Sequence, residues 1–398
     1  MNTKVLKIAI VVHGRFDAFD LARELIKEGQ DVRIFTNYPK WAVRHFGISP
    51  KNVCSFWFHG ILARSAQFLH DNIGLPYPEA WLNVMFGRWA AKNIINEPWD
   101  VVHTWSGVSE EVLLALRGSA TTVILLRGSS HIKTQARLLQ EEEARTGEQI
   151  EKPSKWMIAR EVREYNISDH IRILSSFAYL SFITEGVAKE KLLLIPSGVP
   201  VEDFRPSEEV IQNRIDRIKK GQALRILFVG AMSFQKGIWD MKEIINKCKS
   251  DGFLFYLLGP ASKETRNFMG KLPDFARIIP KKPQHELPEH YARADIFIFP
   301  TIQDGYPAVM AQAQASGLPI ITTTNCSGPD IITEGKTGWV LPIRRPDAFI
   351  DKLLWCDSHR NELAEMVKNV YENYKPKDWH DVAKNFIDIC ADLKEKHK

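Results

Sequence analysis

The chain has 398 residues, of which 44% are hydrophobic and 25% are charged, and its formal net charge is +5 at pH 7. This length predicts two or three domains, and the composition is that of an ordinary globular protein. The small positive charge fits an anionic ligand or an acidic membrane surface and does not indicate a nucleic-acid-binding protein.

Five widely spaced cysteines without a Cys-x-x-Cys pair argue against a disulfide framework and against a zinc site. They favour a cytosolic protein with reduced thiols. We expect no signal peptide, because the first apolar run is short and predicts a strand. We also expect no membrane-spanning helix, because no apolar stretch approaches the length of about 18 residues that a span requires.

The first elements alternate between strand and helix. Leu6 to Val12 is an almost continuous apolar run, typical of a parallel strand buried on both faces. Ala18 to Glu28 places apolar residues at helical spacing, and Asp31 to Thr36 predicts the next strand. This order predicts a doubly wound sheet. Gly14 predicts a tight turn that lets a ligand approach the backbone, or a turn without that role.

The segment from Trp41 to Arg64 is rich in aromatic and basic side chains. Such side chains can lie at a membrane interface. They can also pack inside an irregular insertion, and the sequence leaves both interpretations open.

Two loops follow predicted parallel strands, at the edge where open α/β sheets bind ligands. The first follows the strand that contains His103, and the second begins at Arg127, after the strand from Thr122 to Leu126. His103 and Arg127 are therefore candidate site residues, and a structural role for His103 is the alternative.

Residues 197–221 contain two prolines and a charged helix, which predicts an interdomain linker. A second α/β unit starts at Leu224, and its first loop, Gly230 to Gly237, contains Lys236. A lysine in such a loop can neutralise a diphosphate leaving group, and a solvated lysine is the alternative. The next predicted strand ends at Gly259.

The most informative stretch, Phe299 to Pro319, predicts a strand, a loop and a helix. The helix starts at Ala308, and its free N–H groups and positive dipole end form a place for a phosphate. Asp304 lies in the loop, and Gln312 lies about two turns into the helix. Asp304 could contact the sugar of a sugar nucleotide and Gln312 its ribose, or they are a loop aspartate and a solvated glutamine.

This stretch resembles the signature of retaining glycosyltransferase family 4, EGFGLxxLEAxACGLPVI, with Asp304 at the first glutamate and Gln312 at the second. Two further segments, WDVVHTW and LLRGSSHI, are similar to that family's fDVVHaH and ERGSxH patterns. The loop that contains Lys236 is similar to its VGRLxxxKG pattern.

The chain departs from the family's patterns at several positions. Pro307 stands in place of a glycine and removes one backbone N–H near the phosphates. Ala231 stands in place of an arginine, and Arg127 across the cleft is a candidate replacement. The second histidine of fDVVHaH is Trp105. The resemblance covers nearly the whole chain and is weakest between residues 41 and 96.

The resemblance implies the GT-B fold, an α/β architecture of two doubly wound Rossmann-like domains that face a cleft. It implies an acceptor-side domain at 1–196, a linker at 197–222 and a nucleotide-sugar-binding domain at 223–374. A C-terminal helix at 375–398 would cross back to the first domain. Apolar residues recur there at helical spacing.

The resemblance also implies retaining transfer of a hexose from a nucleotide diphosphate sugar to a glycan or lipid-linked acceptor in polysaccharide biosynthesis. The catalytic residues would be Lys236, Asp304 and His103. The donor-binding residues would be Gly14, Arg127, Gly230, Lys236, Gly259, Asp304, Gly305, Tyr306, Pro307, Ala308 and Gln312. The acceptor-side residues would be Arg15, Trp105, Ser130 and His131.

No Asp-x-Asp motif occurs, so we expect neither a metal nor another cofactor. We expect a cytoplasmic protein without a nucleic-acid partner, and peripheral contact with the inner face of a membrane is left open. A sugar-nucleotide epimerase and a non-catalytic nucleotide-sugar-binding protein remain the alternatives.

Overall fold

The computed structural model describes residues 5–248, 252–262, 264–375 and 377–396. The expected domain ends at residues 1 and 398 lie outside these ranges.

The first domain is a seven-stranded parallel sheet with helices between its strands. Its strands are β1 (Lys7–Val12), β2 (Asp31–Thr36), β3 (Val53–Ser55), β4 (Val101–Trp105), β5 (Thr122–Arg127), β6 (His170–Ile173) and β7 (Leu192–Leu194), in the order β3-β2-β1-β4-β5-β6-β7. Its helices are α1 (Ala18–Lys27), α2 (Trp57–Ile73), α3 (Glu79–Ile94), α4 (Glu110–Ala115), α5 (Ile132–Thr146), α6 (Lys155–Ile167) and α7 (Ser176–Thr184). The strand order reverses between β1 and β4, so the loops after these strands diverge and leave a crevice.

The second domain is a six-stranded parallel sheet of the same kind. Its strands are β8 (Leu224–Val229), β9 (Phe253–Leu258), β10 (Ala276–Ile279), β11 (Ile296–Phe299), β12 (Ile320–Thr323) and β13 (Gly338–Leu341), in the order β10-β9-β8-β11-β12-β13. The remaining helices are α8 (Glu208–Lys219), α9 (Ile238–Lys247), α10 (Arg266–Met269), α11 (Leu287–Arg293), α12 (Ala308–Ala315), α13 (Gly328–Ile331), α14 (Pro346–Ser358), α15 (Arg360–Asn373) and α16 (Trp379–Lys396). Here the strand order reverses between β8 and β11.

The last helix, α16, packs against α1 of the first domain. Its side chains Val382, Phe386 and Cys390 are buried in the same apolar cluster as β1. The chain therefore returns to its first domain after completing the second. Among the described residues, no helix combines the length and apolar character needed to cross a membrane.

The charged helix α8 belongs to the second domain, which corrects the linker predicted at residues 197–222. Ile211, Ile215 and Ile218 lie in the apolar core of that domain, and α8 packs along α15. The linking segment therefore ends before Glu208. The charged composition of α8 led to its assignment to the linker, but its apolar stripe is covered by α15.

Arg214 explains how α8 is held in place. Its guanidinium is fully buried and donates to the carbonyl oxygens of Ser316 and Gly317, at the end of α12, and of Tyr291 and Ala292, at the end of α11. The last carbonyl oxygens of a helix lack a following N–H to accept from, and of these four only that of Tyr291 also accepts from a described backbone N–H, that of Ala294 at 3.2 Å.

Buried charges join the two domains on the α5 side. Arg344 Nε donates to Glu142 Oε2 at 2.9 Å, and Arg145 Nη2 bridges Glu142 and Asp240 at 2.5 and 2.6 Å. Both carboxylates are buried. Arg344 has a φ of 60°, a left-handed conformation that costs free energy in a residue with a Cβ and that these ion pairs help to hold.

We predict that Arg214→Met destabilises the second domain. The carbonyl oxygens of Ser316, Gly317 and Ala292 lose the donor that Arg214 supplies, and an unsatisfied buried acceptor costs about 1–3 kcal/mol, so the free energy of unfolding should fall by about 3 kcal/mol or more. Urea unfolding measures this change. The control is Lys219→Met, which removes an exposed charge from the same helix and should leave the unfolding midpoint unchanged. Equal stability of the two variants would contradict the role of Arg214.

Candidate functional site

A cavity of about 560 Å³ opens between the two domains. Its walls come from the loops after β1, β4 and β5, from residues 197–199, and from Tyr306, Ala308 and Trp379. It therefore lies at the crevice beside β1 and β4, where open sheets of this kind bind ligands.

Lys236 and Asp304 form an ion pair at the second domain's side of the cleft. Lys236 ends a short 3-10 turn after β8, and Asp304 lies in the loop after β11. Ser233 caps the turn, because its Oγ accepts from the Lys236 N–H at 3.3 Å. Both charged side chains are largely buried. Two residues that the sequence placed 68 positions apart are thus brought into direct contact.

The contact between these loops requires a glycine at position 237. A Cβ added to Gly237 would lie 1.8 Å from the carbonyl oxygen of Pro300, and its φ of 75° favours glycine. The carbonyl oxygen of Gln235 accepts from the Ile302 N–H at 2.9 Å and from Thr301 Oγ1 at 3.0 Å. These hydrogen bonds hold the two loops together.

The predicted donor-binding glycines Gly230 and Gly259 lie at the ends of β8 and β9. A Cβ on Gly259 would lie 1.9 Å from the Gly230 carbonyl oxygen. Their visible role is therefore close packing of two backbones at the cleft edge.

The loop between β11 and α12, which we call the phosphate loop, contacts the first domain. A Cβ on Gly305 would lie 2.1 Å from the carbonyl oxygen of Gly128, and Gln303 Oε1 accepts from Ser129 Oγ at 2.7 Å and from Ser130 Oγ at 3.0 Å. Next to this contact, α12 begins after Pro307 without a side-chain cap. Its first N–H groups therefore lie near the cavity that Ala308 lines.

Gln312 is more buried than the sequence suggested. Its Oε1 accepts a hydrogen bond from Tyr291 Oη at 3.0 Å. The carbonyl oxygen is thus engaged within the domain, and the NH₂ group remains as its donor.

The structure places His103 in the core of the first domain and outside the cavity lining, so its position does not support a catalytic role. Its Nδ1 lies 3.0 Å from the Ile124 carbonyl oxygen, and its ring packs against Phe386. Burial, with the positive charge of Arg172, lowers the pKa of His103 to about 3. The residue two positions on, Trp105, lines the cavity instead.

Two predicted acceptor-side residues, His131 and Ser130, are also buried within the fold and away from the cavity. His131 is buried, and its Nδ1 accepts from the Lys133 N–H at the start of α5. Ser130 is buried against Gln303 at the domain interface. Neither side chain lines the cavity, which corrects their assignment to the acceptor.

Arg127 lines the cavity, but its donors are engaged in the first domain. Its guanidinium donates to Glu161 Oε1 at 3.0 Å, to Gln135 Oε1 at 2.5 Å and to the Ser130 carbonyl oxygen at 3.1 Å. Its charge is neutralised by Glu161, so the proposal that it replaces the arginine missing at Ala231 is not supported.

The loop after β1 is built around Gly14. Its N–H donates to Asn37 Oδ1 and its carbonyl oxygen accepts from Thr36 Oγ1, both at 2.8 Å, so both backbone groups are engaged. Arg15 points to the outside, with its guanidinium 4.4 Å from the centre of the Phe46 ring. Gly14 therefore shapes the loop, and neither residue lines the cavity.

The residues next to them do line it. His13 precedes Gly14, and Phe16 follows Arg15 with a φ of 41°, a strained conformation for an aromatic residue. Such outliers are concentrated at functional sites. His103 and Arg127 were candidates because they lie at the carboxyl ends of predicted parallel strands. His13 lies at the carboxyl end of β1, so the same criterion selects it from the sequence.

The His13 imidazole is a polar group without a partner in the cavity wall. Its Nε2 is buried and has no hydrogen-bond partner among the residues that the structure describes. Burial and the neighbouring His59 lower the pKa of His13 to about 4, so the ring is neutral at neutral pH. Its edge packs against His59 and Phe86, which fix its orientation.

Part of this chain is similar in sequence to known glycosyltransferases. Residues 223–358 match the family described as glycosyl transferases group 1. The amylovoran biosynthesis glycosyltransferase AmsK of Erwinia amylovora is 28% identical over 190 residues, 44% of this chain and 47% of that protein. The capsular polysaccharide biosynthesis glycosyltransferase CapM of Staphylococcus aureus is 25% identical over 221 residues, 52% of this chain and 57% of that protein. The chain thus spans about half the length of the curated relatives it matches.

Several solved structures match along almost the whole chain, and one of them holds both a nucleotide and a sugar. The structure of Anabaena Alr3699/HepE in complex with UDP and glucose has a TM-score of 0.67 and 11% identity, and the match covers 98% of this chain and 100% of that one. This likeness, together with the two parallel sheets, confirms the predicted GT-B fold and the resemblance to GT-B glycosyltransferases. Membership of family 4 stays a prediction.

We predict that Gly305→Ala opens the cleft. The new methyl group cannot fit 2.1 Å from the Gly128 carbonyl oxygen, so the phosphate loop must withdraw from the first domain. Small-angle X-ray scattering should show a larger radius of gyration. Gly128→Ala is the matched control, because a Cβ there meets nothing within 4 Å. If both variants scatter like the original protein, the closed contact does not govern the domain arrangement.

Proposed function

We propose that this chain is a retaining, metal-independent glycosyltransferase. It transfers a hexose from a uridine diphosphate sugar to a glycan or lipid-linked acceptor in polysaccharide biosynthesis. The observation that carries the proposal is the pairing of Lys236 with Asp304 beside the start of α12, at the strand-order reversal of the domain that matches group 1 glycosyl transferases. The UDP and glucose bound to HepE support the choice of donor.

The ion pair suits a site that must be stable both with and without its ligand. A partly buried lysine without a partner destabilises the folded protein. The ion pair with Asp304 offsets this destabilisation when no sugar nucleotide is bound. When the donor binds, its diphosphate replaces Asp304 as the partner of Lys236. Asp304 is then free to accept hydrogen bonds from the hydroxyls of the sugar.

Negative charge develops on the diphosphate as the glycosidic bond breaks. Lys236 stabilises it with a full positive charge, and the first N–H groups of α12 stabilise it with the helix dipole. Gln312 donates from its NH₂ group to the ribose. Tyr306 and Ala308 line the passage from this end of the site into the cavity.

Retention requires the acceptor hydroxyl to approach the anomeric carbon from the face that the diphosphate leaves. The bond to the acceptor oxygen forms while the bond to the diphosphate oxygen breaks, and the hydroxyl proton passes to the departing diphosphate. Among the described residues that line the cavity, Asp17 is the one carboxylate, and its Oδ2 accepts from Ser197 Oγ at 2.8 Å. We therefore assign no nucleophilic carboxylate.

The acceptor occupies the first domain's side of the cavity. Trp105 and Phe16 offer apolar faces for a sugar ring, and neutral His13 accepts a hydrogen bond from an acceptor hydroxyl through its unpartnered nitrogen. A lipid-linked acceptor additionally requires this cavity to lie close to a membrane.

We predict that Lys236→Ala lowers the turnover number for sugar transfer by about 10²–10³, the usual effect of losing one stabilising donor at a developing charge. The affinity for UDP, measured by calorimetry, should fall as well. Lys271→Ala, an exposed lysine of the same domain, is the control. Near-normal turnover of Lys236→Ala would remove this residue from the mechanism.

The same assays separate the alternative functions. Release of UDP that depends on an acceptor supports the transferase. Interconversion of the sugar nucleotide without an acceptor would show an epimerase. Binding of UDP without turnover of any nucleotide sugar would show a non-catalytic binding protein. The departures from the family's patterns at Ala231, Asp304 and Gln312 would then explain the loss of catalysis.

We predict that His13→Phe raises the KM for the acceptor about tenfold, the effect of one lost hydrogen bond, and leaves the Kd for UDP unchanged. Phenylalanine keeps the packing against His59 and Phe86. His13→Gln restores an acceptor atom and should recover part of the loss. An unchanged KM in both variants would exclude His13 from acceptor binding.

A further inference from the structure

The helix α2 is attached to the first domain along a narrow edge. Of its 17 residues, His59, Gly60 and Ala63 are buried, and a Cβ on Gly60 would lie 2.5 Å from the Asn37 carbonyl oxygen. This close contact fixes which side of the helix faces the domain. The opposite side is not covered by any element in the described part of the chain.

That uncovered side is apolar. Trp57, Ile61 and Phe68, spaced at i, i+4 and i+11, share one face of the helix and are 55%, 51% and 62% exposed. Ile73 at the end of α2, Leu75 after it and Trp81 at the start of α3 are also exposed. Half of the eighteen exposed large hydrophobic side chains among the described residues lie between residues 41 and 81. We call Trp57, Ile61, Phe68, Ile73, Leu75 and Trp81 the α2–α3 face.

The charge around this face is positive. Residues 40–92 contain six basic and two acidic residues, a net charge of +4, while the whole chain carries +5. All six basic side chains are exposed, and Arg64 lies within the apolar stripe of α2, at i+7 from Trp57. The segment that carries the α2–α3 face is therefore basic, and its cations are exposed.

This combination fits a lipid surface better than a protein partner. Aromatic and aliphatic side chains bounded by Lys and Arg lie favourably at the boundary between acyl chains and anionic headgroups. Protein interfaces, in contrast, are depleted of lysine. On the same side, α3 forms a groove of about 430 Å³ lined by Ala80, Trp81, Val84, Met85 and Arg88. Its apolar walls and single cation suit a lipid chain and its phosphate.

The buried sides of the same two helices contact the cavity or its wall. Asn83 of α3 lines the cavity, and His59 of α2 packs against His13. The helices that carry the α2–α3 face therefore also help to form the wall of the cavity.

We propose that the α2–α3 face docks on a bilayer that contains anionic lipids, with α2 lying in the plane of the interface. Docking brings the cavity to the membrane surface, where a lipid-linked acceptor is met. This last step rests on the proposed function, whereas the docking itself does not.

The test is co-sedimentation of the full chain with vesicles. The protein should bind vesicles of equal parts phosphatidylcholine and phosphatidylglycerol, bind phosphatidylcholine alone weakly, and lose affinity as salt is raised. The triple variant W57S/I61S/F68S should lose at least about tenfold in affinity, because it removes the side chains that enter the interface. The matched control L114S/L180S/L354S changes three equally exposed apolar residues elsewhere and should bind as before.

Two results would overturn the proposal. One is equal vesicle binding by the two triple variants. The other is no binding to either vesicle, together with concentration-dependent dimerisation in analytical ultracentrifugation that W57S/I61S/F68S abolishes, which would assign the face to a second copy of the chain. The Kd for UDP should be the same in all of these proteins. Loss of UDP binding without loss of vesicle binding would contradict the proposed function and leave the docking intact.

Discussion

The candidate site depends on the close contact between the loops that follow β8 and β11. The absence of a side chain at Gly237 lets the backbone reach the Pro300 carbonyl oxygen, and this approach places the Lys236 ammonium beside the Asp304 carboxylate. A parallel sheet makes the contact available, because strands that neighbour each other present their carboxyl ends at one edge. The pair of opposite charges then keeps a partly buried lysine satisfied.

A second constraint sets the position of this loop relative to the first domain. Gly305 packs on Gly128, and the buried carboxylate of Glu142 is shared by Arg344 and Arg145 from both sides of the cleft. These contacts leave a defined cavity between the domains. The ion pairs of Arg344 and Arg145 with Glu142 and Asp240 lie on the α5 side. The two domains can move apart there only if these buried ion pairs are exposed or broken.

The first domain shows how polar side chains divide between folding and ligand contact. His103, His131 and Arg127 have their hydrogen-bonding groups engaged inside the domain. His13 has a buried nitrogen without a described partner, and Trp105 presents its ring to the cavity. We infer that a side chain left unsatisfied at the edge of a sheet is a better guide to a binding site than the presence of a histidine or an arginine there.

The sequence by itself determined the two doubly wound domains, because apolar runs and helical spacing record which faces are buried. It also selected Lys236 and Asp304 as candidate site residues, because each lies in a loop that follows a strand and matches a pattern of the family it resembles. Only the tertiary structure decided that His103 is a core residue, and that α8 packs within the second domain. The sequence could not establish the position of His103 or of α8, since burial and hydrogen bonding depend on which distant element covers a side chain.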